Sequence, residues 1–470
     1  MDIALRERSP CRVNQLISSR KAQQWGAAIF AAVLIFRFAC AVPPKDLEPV
    51  PPLVPIAGEP FVHAGPLVGY VGPDVAHLWV KASNAATLAI KIGLAEDLSD
   101  GRVIDGPELE ESAAFTGTVI VPGLKVQTRY FYAPMLDGRV ALARPYPSFV
   151  TAPEEGAPGR WRIAFGSCVG YRGYHPAAAF GEMAERRNFD LLLLLGDNHY
   201  GDTTDPDLSR ANYFIHRTGD GFAKIARQIP VCTIWDDHDF GPNNSDGTAK
   251  GKQESLRVFR EWWANRSYGE PENPGVYWQF SRGDVDFFML DGRYYRTPND
   301  APEDGSKTML GERQLAWLKA ALSVSKAKFK LIAAGSEWSS RSQPDCWMSF
   351  ARERREIFEH IQREKIEGVV LLSGDRHFTA GYQVQGRFVE FTSGPLGSGN
   401  AKLKENTERF TGADEGKLWM ILELDTTAEP PRFFYEIWQA GRGPIERREL
   451  SWEEINGRAK IAPSKFASEP

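Results

Sequence analysis

The chain has 470 residues, with 56 Lys and Arg against 61 Asp and Glu and a formal net charge of −5. That length predicts more than one domain and a core large enough to need no disulfide staples. The charge balance excludes a nucleic-acid coat, which needs a basic stripe to neutralise phosphates.

Residues 1–42 read as an address: Arg6, Arg8, Arg12, Arg20 and Lys21 precede an apolar stretch from Gly26 to Phe36. The stretch is short for a bilayer span and suits a signal-peptide core. Export is therefore expected, to a periplasmic, extracellular or membrane-anchored location, with a short anchor or a lipid-modified Cys40 as the alternative to a cleaved signal. Residues 43–60 form a stiff, proline-rich linker. From 61 to 153 come short β-rich pieces, Ala76–Val80, Ala86–Ile92, Phe115–Val121 and Thr128–Ala133, parted by glycine and proline turns. This spacing predicts a small all-β sandwich of the immunoglobulin or fibronectin type.

Residues 160–455 follow a different pattern. Strands are predicted at Trp161–Gly166, Phe189–Leu195, Pro230–Trp235, Val285–Leu290, Phe329–Ala334, Val369–Leu372, Phe388–Phe391, Leu418–Leu424 and Phe433–Trp438. Helices are predicted at Ala177–Arg186, Glu254–Trp263, Glu312–Leu322 and Phe350–Gln362. Near-continuous apolar strands alternating with helices define an α/β domain whose sheets are covered on their faces. The segments Gly201–Gln228 and Thr297–Thr308, polar and rich in turn formers, are expected to shape the mouth of a site. The five cysteines, Cys11, Cys40, Cys168, Cys232 and Cys346, form no CxxC pair, so neither a disulfide framework nor a zinc ribbon is predicted.

Several of these strands stop in the same way. The run Leu191–Leu195 ends in Gly-Asp-Asn-His-Tyr; others end at Cys168, at Asp236-Asp237-His238-Asp239 and at Asp375-Arg376-His377. Strand ends are where α/β sheets gather their ligands. So much negative charge at dry strand ends needs a cation or buried donors to neutralise it. Asp236, Asn243 and Asp375 are oxygen donors suited to calcium, magnesium or manganese, whereas Cys168 and Tyr200 suit a ferric ion or zinc. Asp197 is placed to bridge the two. Cys168 also has a plain reading as a small buried hydrophobe. Two unlike cations define a hydrolytic clamp in which a metal-held hydroxide attacks phosphorus.

The ordered signatures FGSC (165–168), LGDNHY (195–200), WDDHDFGPN (235–243), LDGRYYR (290–296), LGERQLAWL (310–318) and LSGDRH (372–377) resemble the PhoD-like alkaline phosphatase/phosphodiesterase branch of the metallophosphatases. The resemblance implies a two-sheet α/β sandwich behind the small β domain, with one iron(III) and one or two calcium ions. It maps Cys168, Asp197 and Tyr200 to the iron side, with His377 there too by analogy with the wider superfamily, and Asp236, Asn243 and Asp375 to the calcium side. Asn198 and His199 depart from the family's intervening residues, and His199 has no assigned role.

His238 is the candidate to protonate the departing oxygen or to hold a phosphoryl oxygen, or else to orient Asp237 or Asp197. Asp237 is counted with the catalytic groups, and how it and Asp239 divide between holding cations and holding other ligands stays open. Arg293 either grips two phosphoryl oxygens in its fork or braces Asp291. Arg172 and Arg376 are weaker phosphate-binding candidates, and Trp235, Trp338 and Tyr171 are candidate pocket walls.

The expected substrate is a small phosphate mono- or diester, with no nucleic-acid specificity. A monomer is expected, as is membrane association only through the amino-terminal segment. The rivals are a phosphodiesterase of phospholipase-like type acting on a cell-envelope diester, and a non-catalytic exported binding protein.

Overall fold

The computed structural model describes residues 53–170, 177–339 and 343–466. The predicted address segment, Tyr171 and Arg172 fall outside these ranges. Among the described residues no helix is long and apolar enough to cross a membrane.

The first part of the chain forms eight strands: β1 Val62–Val71, β2 Val75–Ala82, β3 Ala86–Gly93, β4 Arg102–Leu109, β5 Thr116–Pro122, β6 Arg129–Leu136, β7 Arg139–Val140 and β8 Ser148–Val150. They make a sheet in the order β1-β2-β5 and another in the order β4-β3-β6-β7, with β8 pairing with β6. Between the sheets lies a core that includes Val68, Leu78, Val80, Leu88, Ile90, Tyr130 and Tyr132. Sequence reading missed β1 and β4. β1 carries two glycines and a proline, and its strand character comes from burial on both faces: Leu67 and Tyr70 join the main core while Val68 and Val71 join the small one. β4 is largely exposed and shows little apolar signal.

The remainder is a mixed α/β assembly of two large sheets and a small two-stranded one. Its strands are β9 Arg160–Gly166, β10 Leu191–Leu195, β11 Val231–Ile234, β12 Gly269–Glu270, β13 Asn273–Pro274, β14 Trp278–Arg282, β15 Val285–Met289, β16 Phe329–Ala333, β17 Val369–Ser373, β18 Thr379–Val384, β19 Phe388–Thr392, β20 Arg409–Ala413, β21 Leu418–Asp425, β22 Arg432–Gln439 and β23 Gly443–Leu450. One sheet runs β11-β10-β9-β21-β22-β23 and the other β14-β15-β16-β17-β19-β18-β20. β9, β10 and β11 are mutually parallel, as are β15, β16, β17 and β19.

Alternation explains the continuous apolar runs. In β15 to β17, Phe287, Met289, Leu331, Val370 and Leu372 face the core between the sheets. Phe288, Ile332 and Leu371 face the helices Glu312–Val324 and Ala351–Arg363. All five leucines of β10 are buried, and full burial of one leucine contributes roughly 1.5–3 kcal/mol. Parallel order places the carboxyl ends of both sets of strands together.

Gly201–Gln228 contains two helices that sequence reading missed, Pro206–Thr218 and Asp220–Ala226. Asp205 caps the first, accepting from the Asp207 and Leu208 amides at 3.0 Å, with Pro206 opening the helix. The chain after Trp438 also adds a further strand, β23, at the sheet edge.

The small sandwich is fastened to the rest. Trp79 Nε1 donates to Glu261 O at 2.7 Å, the Tyr70 amide to Ala264 O at 2.8 Å, and Tyr132 Oη to Arg227 O at 3.0 Å. A Cβ on Gly69 would lie 2.2 Å from Ala264 O, so only glycine permits this approach.

Candidate metal centre

The predicted strand ends converge. Ligand atoms of Cys168, Asp197 and His377 lie within 4.8 Å of one another, as do those of Asp197, Asp237 and His238, and those of Asp236, Asp237 and Asp375. Asp197 and Asp237 each belong to two of the three groups, so the cluster is continuous. Tyr200 Oη donates to Asp197 Oδ2 at 3.0 Å and sits 2.8 Å from His377 Nε2. Asn243 is exposed in the turn after the one-turn helix Asp237–Phe240, and the amide of the next residue, Asn244, donates to Asp237 Oδ2 at 2.6 Å.

Sharp backbone turns deliver these side chains. Cys168, Asp197, Asp375 and His377 all have left-handed φ, at 60°, 53°, 68° and 57°, a conformation that disfavours residues bearing a Cβ. Gly196, at φ +95°, makes the turn before Asp197, and a Cβ there would lie 2.5 Å from both Cβ and N of Asp236. Gly335 is as tight against the Asp236 carboxyl group, and Gly374 against Ser167. The glycines let strand ends from both sheets pack shoulder to shoulder.

The donor set fits cations. Asp197 Oδ1, Asp236 Oδ2 and Asp237 Oδ1 are buried and have no hydrogen-bond partner among the described residues. Burial pushes the Asp197 and Asp236 carboxyls well up, and raises Asp375 to about 6 against the pull of Arg376. Burial also raises the Cys168 thiol and the Tyr200 phenol, reinforced in each case by Asp197. Positive charge at the centre would relieve all five groups. Burial, with nearby His238, lowers His377 to about 4, so its imidazole is neutral and has a lone pair to offer.

His238 is held differently. Its Nδ1 lies 2.5 Å from Asp202 Oδ1, and its ring stacks on Tyr200 at 3.9 Å. Burial alone would lower its pKa, but Asp237, Asp197 and Asp202 raise it to about 10. Asp202 is the site residue that sequence reading missed. It follows Tyr200 by two positions, has φ +49°, and its amide donates to His238 O at 3.3 Å. A carboxylate just past the LGDNHY turn was the available signal.

Arg293 is fully buried and already engaged. Its Nε meets Asp236 Oδ1 at 2.5 Å, Nη2 meets Asp345 Oδ2 at 2.7 Å, and Nη1 donates to Ser245 O at 3.1 Å. Neither predicted role describes this position. Asp291 accepts instead from Trp235 Nε1 at 2.8 Å and from the Val276, Arg293 and Tyr294 amides. Arg376 similarly binds Asp375 at 2.9 Å and Glu337 at 3.3 Å.

Other residues prove to be scaffolding. Asp239 Oδ1 accepts from the Asp236 amide at 2.7 Å and its Oδ2 receives Asn198, closing a capping box. Trp235 and Trp338 are core residues, the latter stacked on Trp347 at 4.0 Å. His199 turns away from the cluster. Its Nδ1 accepts from the Gly201 amide at 3.0 Å, which leaves Nε2–H to donate to Ser209 Oγ at 3.3 Å, and burial keeps the ring neutral.

Two mixed sheets meeting at a cluster of carboxylates, thiol, phenol and imidazole are the architecture of the metallophosphatases. The sequence model of the PhoD-like phosphatases matches residues 163–423, and the chain belongs to that family. It is 26% identical over 267 residues to alkaline phosphatase D of Bacillus subtilis (strain 168), a match covering 46% of this chain and 45% of that protein. The chain thus spans less than half the length of that curated relative. A solved structure of PhoD superposes with a TM-score of 0.68 at 19% identity, covering 88% of this chain and 96% of that one. Purple acid phosphatase PPD1 from yellow lupin (Lupinus luteus) seeds gives 0.62 at 12% identity, covering 84% and 75%. Both likenesses concern the fold.

Proposed function

We propose that the protein hydrolyses phosphate esters at a centre of two or more cations. The observation that carries this reading is the trio of orphaned carboxylate oxygens, on Asp197, Asp236 and Asp237, buried beside a thiol, a phenol and a neutral imidazole. Cys168, Tyr200, Asp197 and His377 would hold the softer cation, iron(III) by preference and zinc as the alternative. Asp236, Asp237 and Asp375 would hold calcium, or manganese or magnesium, with Asp197 shared between the two sides. Cations bound there supply acidity to water and positive charge to the phosphoryl oxygens.

This chain's own residues do the rest. His238, steered by Asp202 at its Nδ1, gives its Nε2 proton to the leaving oxygen. Arg293 and Arg376 position Asp236 and Asp375 and offset their charge, so that carboxylates too close to coexist alone can face the same cation. Asp202 and Tyr200 fix the imidazole from its edge and its face.

The family relationship and the related alkaline phosphatase D support a small phosphomonoester or phosphodiester as substrate. The arginine-rich, apolar amino-terminal segment supports an exported protein, and the short strands of the first sandwich support an immunoglobulin- or fibronectin-like module. Metal analysis of the purified protein, paired with turnover of p-nitrophenyl and bis-p-nitrophenyl phosphate, tests the reading. Iron plus calcium, with metal and turnover lost together in Asp197→Asn, is the expected result. A fully loaded centre that hydrolyses neither ester would refute it.

A further inference from the structure

A second cavity, of about 310 Å³, lies at the other end of the strands, where the small sandwich meets the α/β assembly. Its wall includes Arg282 at the end of β14, Arg187 and Asp190 just before β10, Gln228 before β11, and Arg129 and Ser148 from β6 and β8. The proposed metal centre forms at the carboxyl ends of β10 and β11, whereas this cavity opens at their amino ends.

Arg282 is the unusual member. Arg282 is 8% exposed, its side chain makes no hydrogen bond or ion pair among the described residues, and its Nε is buried without a partner. Its neighbours are the ring of Trp161, 5.7 Å from the guanidinium carbon, and Asp190, whose charge acts on it without a hydrogen bond. A guanidinium stays charged in proteins, and a buried, unpaired one is costly to keep. The other two arginines have one neutral contact each: Arg129 Nη1 with Ser148 Oγ at 3.1 Å and Arg187 Nη1 with Gln228 Oε1 at 2.8 Å. Asp190, the one carboxylate in the wall, accepts the Arg162 amide at 2.9 Å. Three guanidinium groups against one carboxylate leave an excess of two positive charges, which matches a dianion. A tetrahedral oxyanion accepts from several guanidinium forks at once, whereas a planar carboxylate is matched by one.

We infer that this cavity is a binding site for a phosphate group, free or carried by a small ester, separate from the metal centre. The inference does not depend on the proposed hydrolysis, because binding is read directly. Isothermal titration of inorganic phosphate into the full-length protein is expected to show one more binding event than the metal centre provides. Arg282→Met, which keeps the bulk and removes the charge, should weaken that event by roughly 10- to 150-fold. Competitive inhibition of ester hydrolysis by phosphate should stay unchanged. If Arg282→Met fails to fold, Arg187→Gln and Arg129→Gln, on the exposed rim, should each weaken the same event about tenfold. Ethylphosphonate separates the two sources: Arg282-dependent binding tighter than that of phosphate identifies an ester-borne group, and weaker binding the free ion. Unchanged phosphate stoichiometry and affinity in folded Arg282→Met, or in both rim variants where it does not fold, overturns the inference.

Discussion

Asp202→Asn isolates the proton-transfer step from the metal centre. Asp202 Oδ1 is 2.5 Å from His238 Nδ1, and its side chain keeps 30% of its exposure while that of His238 keeps 7%. A partly buried charge-assisted hydrogen bond of this kind is worth roughly 1.5–3 kcal/mol, or about 10- to 150-fold in rate if it is fully expressed in the transition state. The loss should depend on the leaving group. A p-nitrophenolate departs with little help, so its kcat should fall only a few-fold, whereas an alkyl phosphate should lose roughly 10- to 150-fold. KM should hardly move. The pH profile gives an independent readout. Asp202 contributes to holding His238 at about 10, so its removal should bring the alkaline limb, where the imidazolium is lost, to lower pH. Equal losses for both esters, with an unshifted alkaline limb, would show that Asp202 merely supports the fold.

Gly196→Ala places a Cβ 2.5 Å from Asp236 at a left-handed position and should cost at least about 2 kcal/mol, visible as a lower Tm together with reduced metal content. Arg293→Gln strands Asp236 without its cation, while Asp345 keeps Arg296 at 2.6 Å, and should destabilise by about 3–5 kcal/mol. If Arg293 positions ligands, metal content falls with Tm in that variant; a raised KM with intact metal would restore it as a phosphate grip. Lys81 is buried between Phe115 and Phe214, and burial lowers its pKa from 10.5 to about 8. Between those values the unfolded chain binds a proton that the folded chain does not, so this residue makes stability rise with pH across the window. Lys81→Met should stabilise the protein at pH 7 by up to roughly 3 kcal/mol and abolish that rise, as urea melts at pH 7 and pH 10 would report.

The parts legible in the sequence were those encoded locally. β10, β16 and β17 announce themselves because both faces are covered, and Asp197, Asp236 and Asp375 because each lies two residues beyond its strand. What escaped depends on distant partners. Arg293 is committed to Asp236 and Asp345, 57 and 52 residues away in the chain, and nothing near LDGRYYR specifies either. Asp202 reaches His238 across 36 residues, through a turn that no periodicity reveals. β1 is a strand through burial on two sides rather than through its composition. The helix Pro206–Thr218 was readable, since Asp205-Pro206 is a capping signal, but its polar face disguised it as loop.

The centre draws Cys168, Asp197 and Asp236 from β9, β10 and β11 in one sheet, and Asp375 and His377 from the end of β17 in the other. Neither sheet owns a complete half of it. A cation held there would work as a clasp, closing loops of some two hundred residues much as a cross-link does. Loading would then come last in assembly, after the sheets have docked, and chelation would loosen the seam between them before it unfolded either one. Metal content in this protein would thus report how the two sheets are joined as well as how well the site is filled.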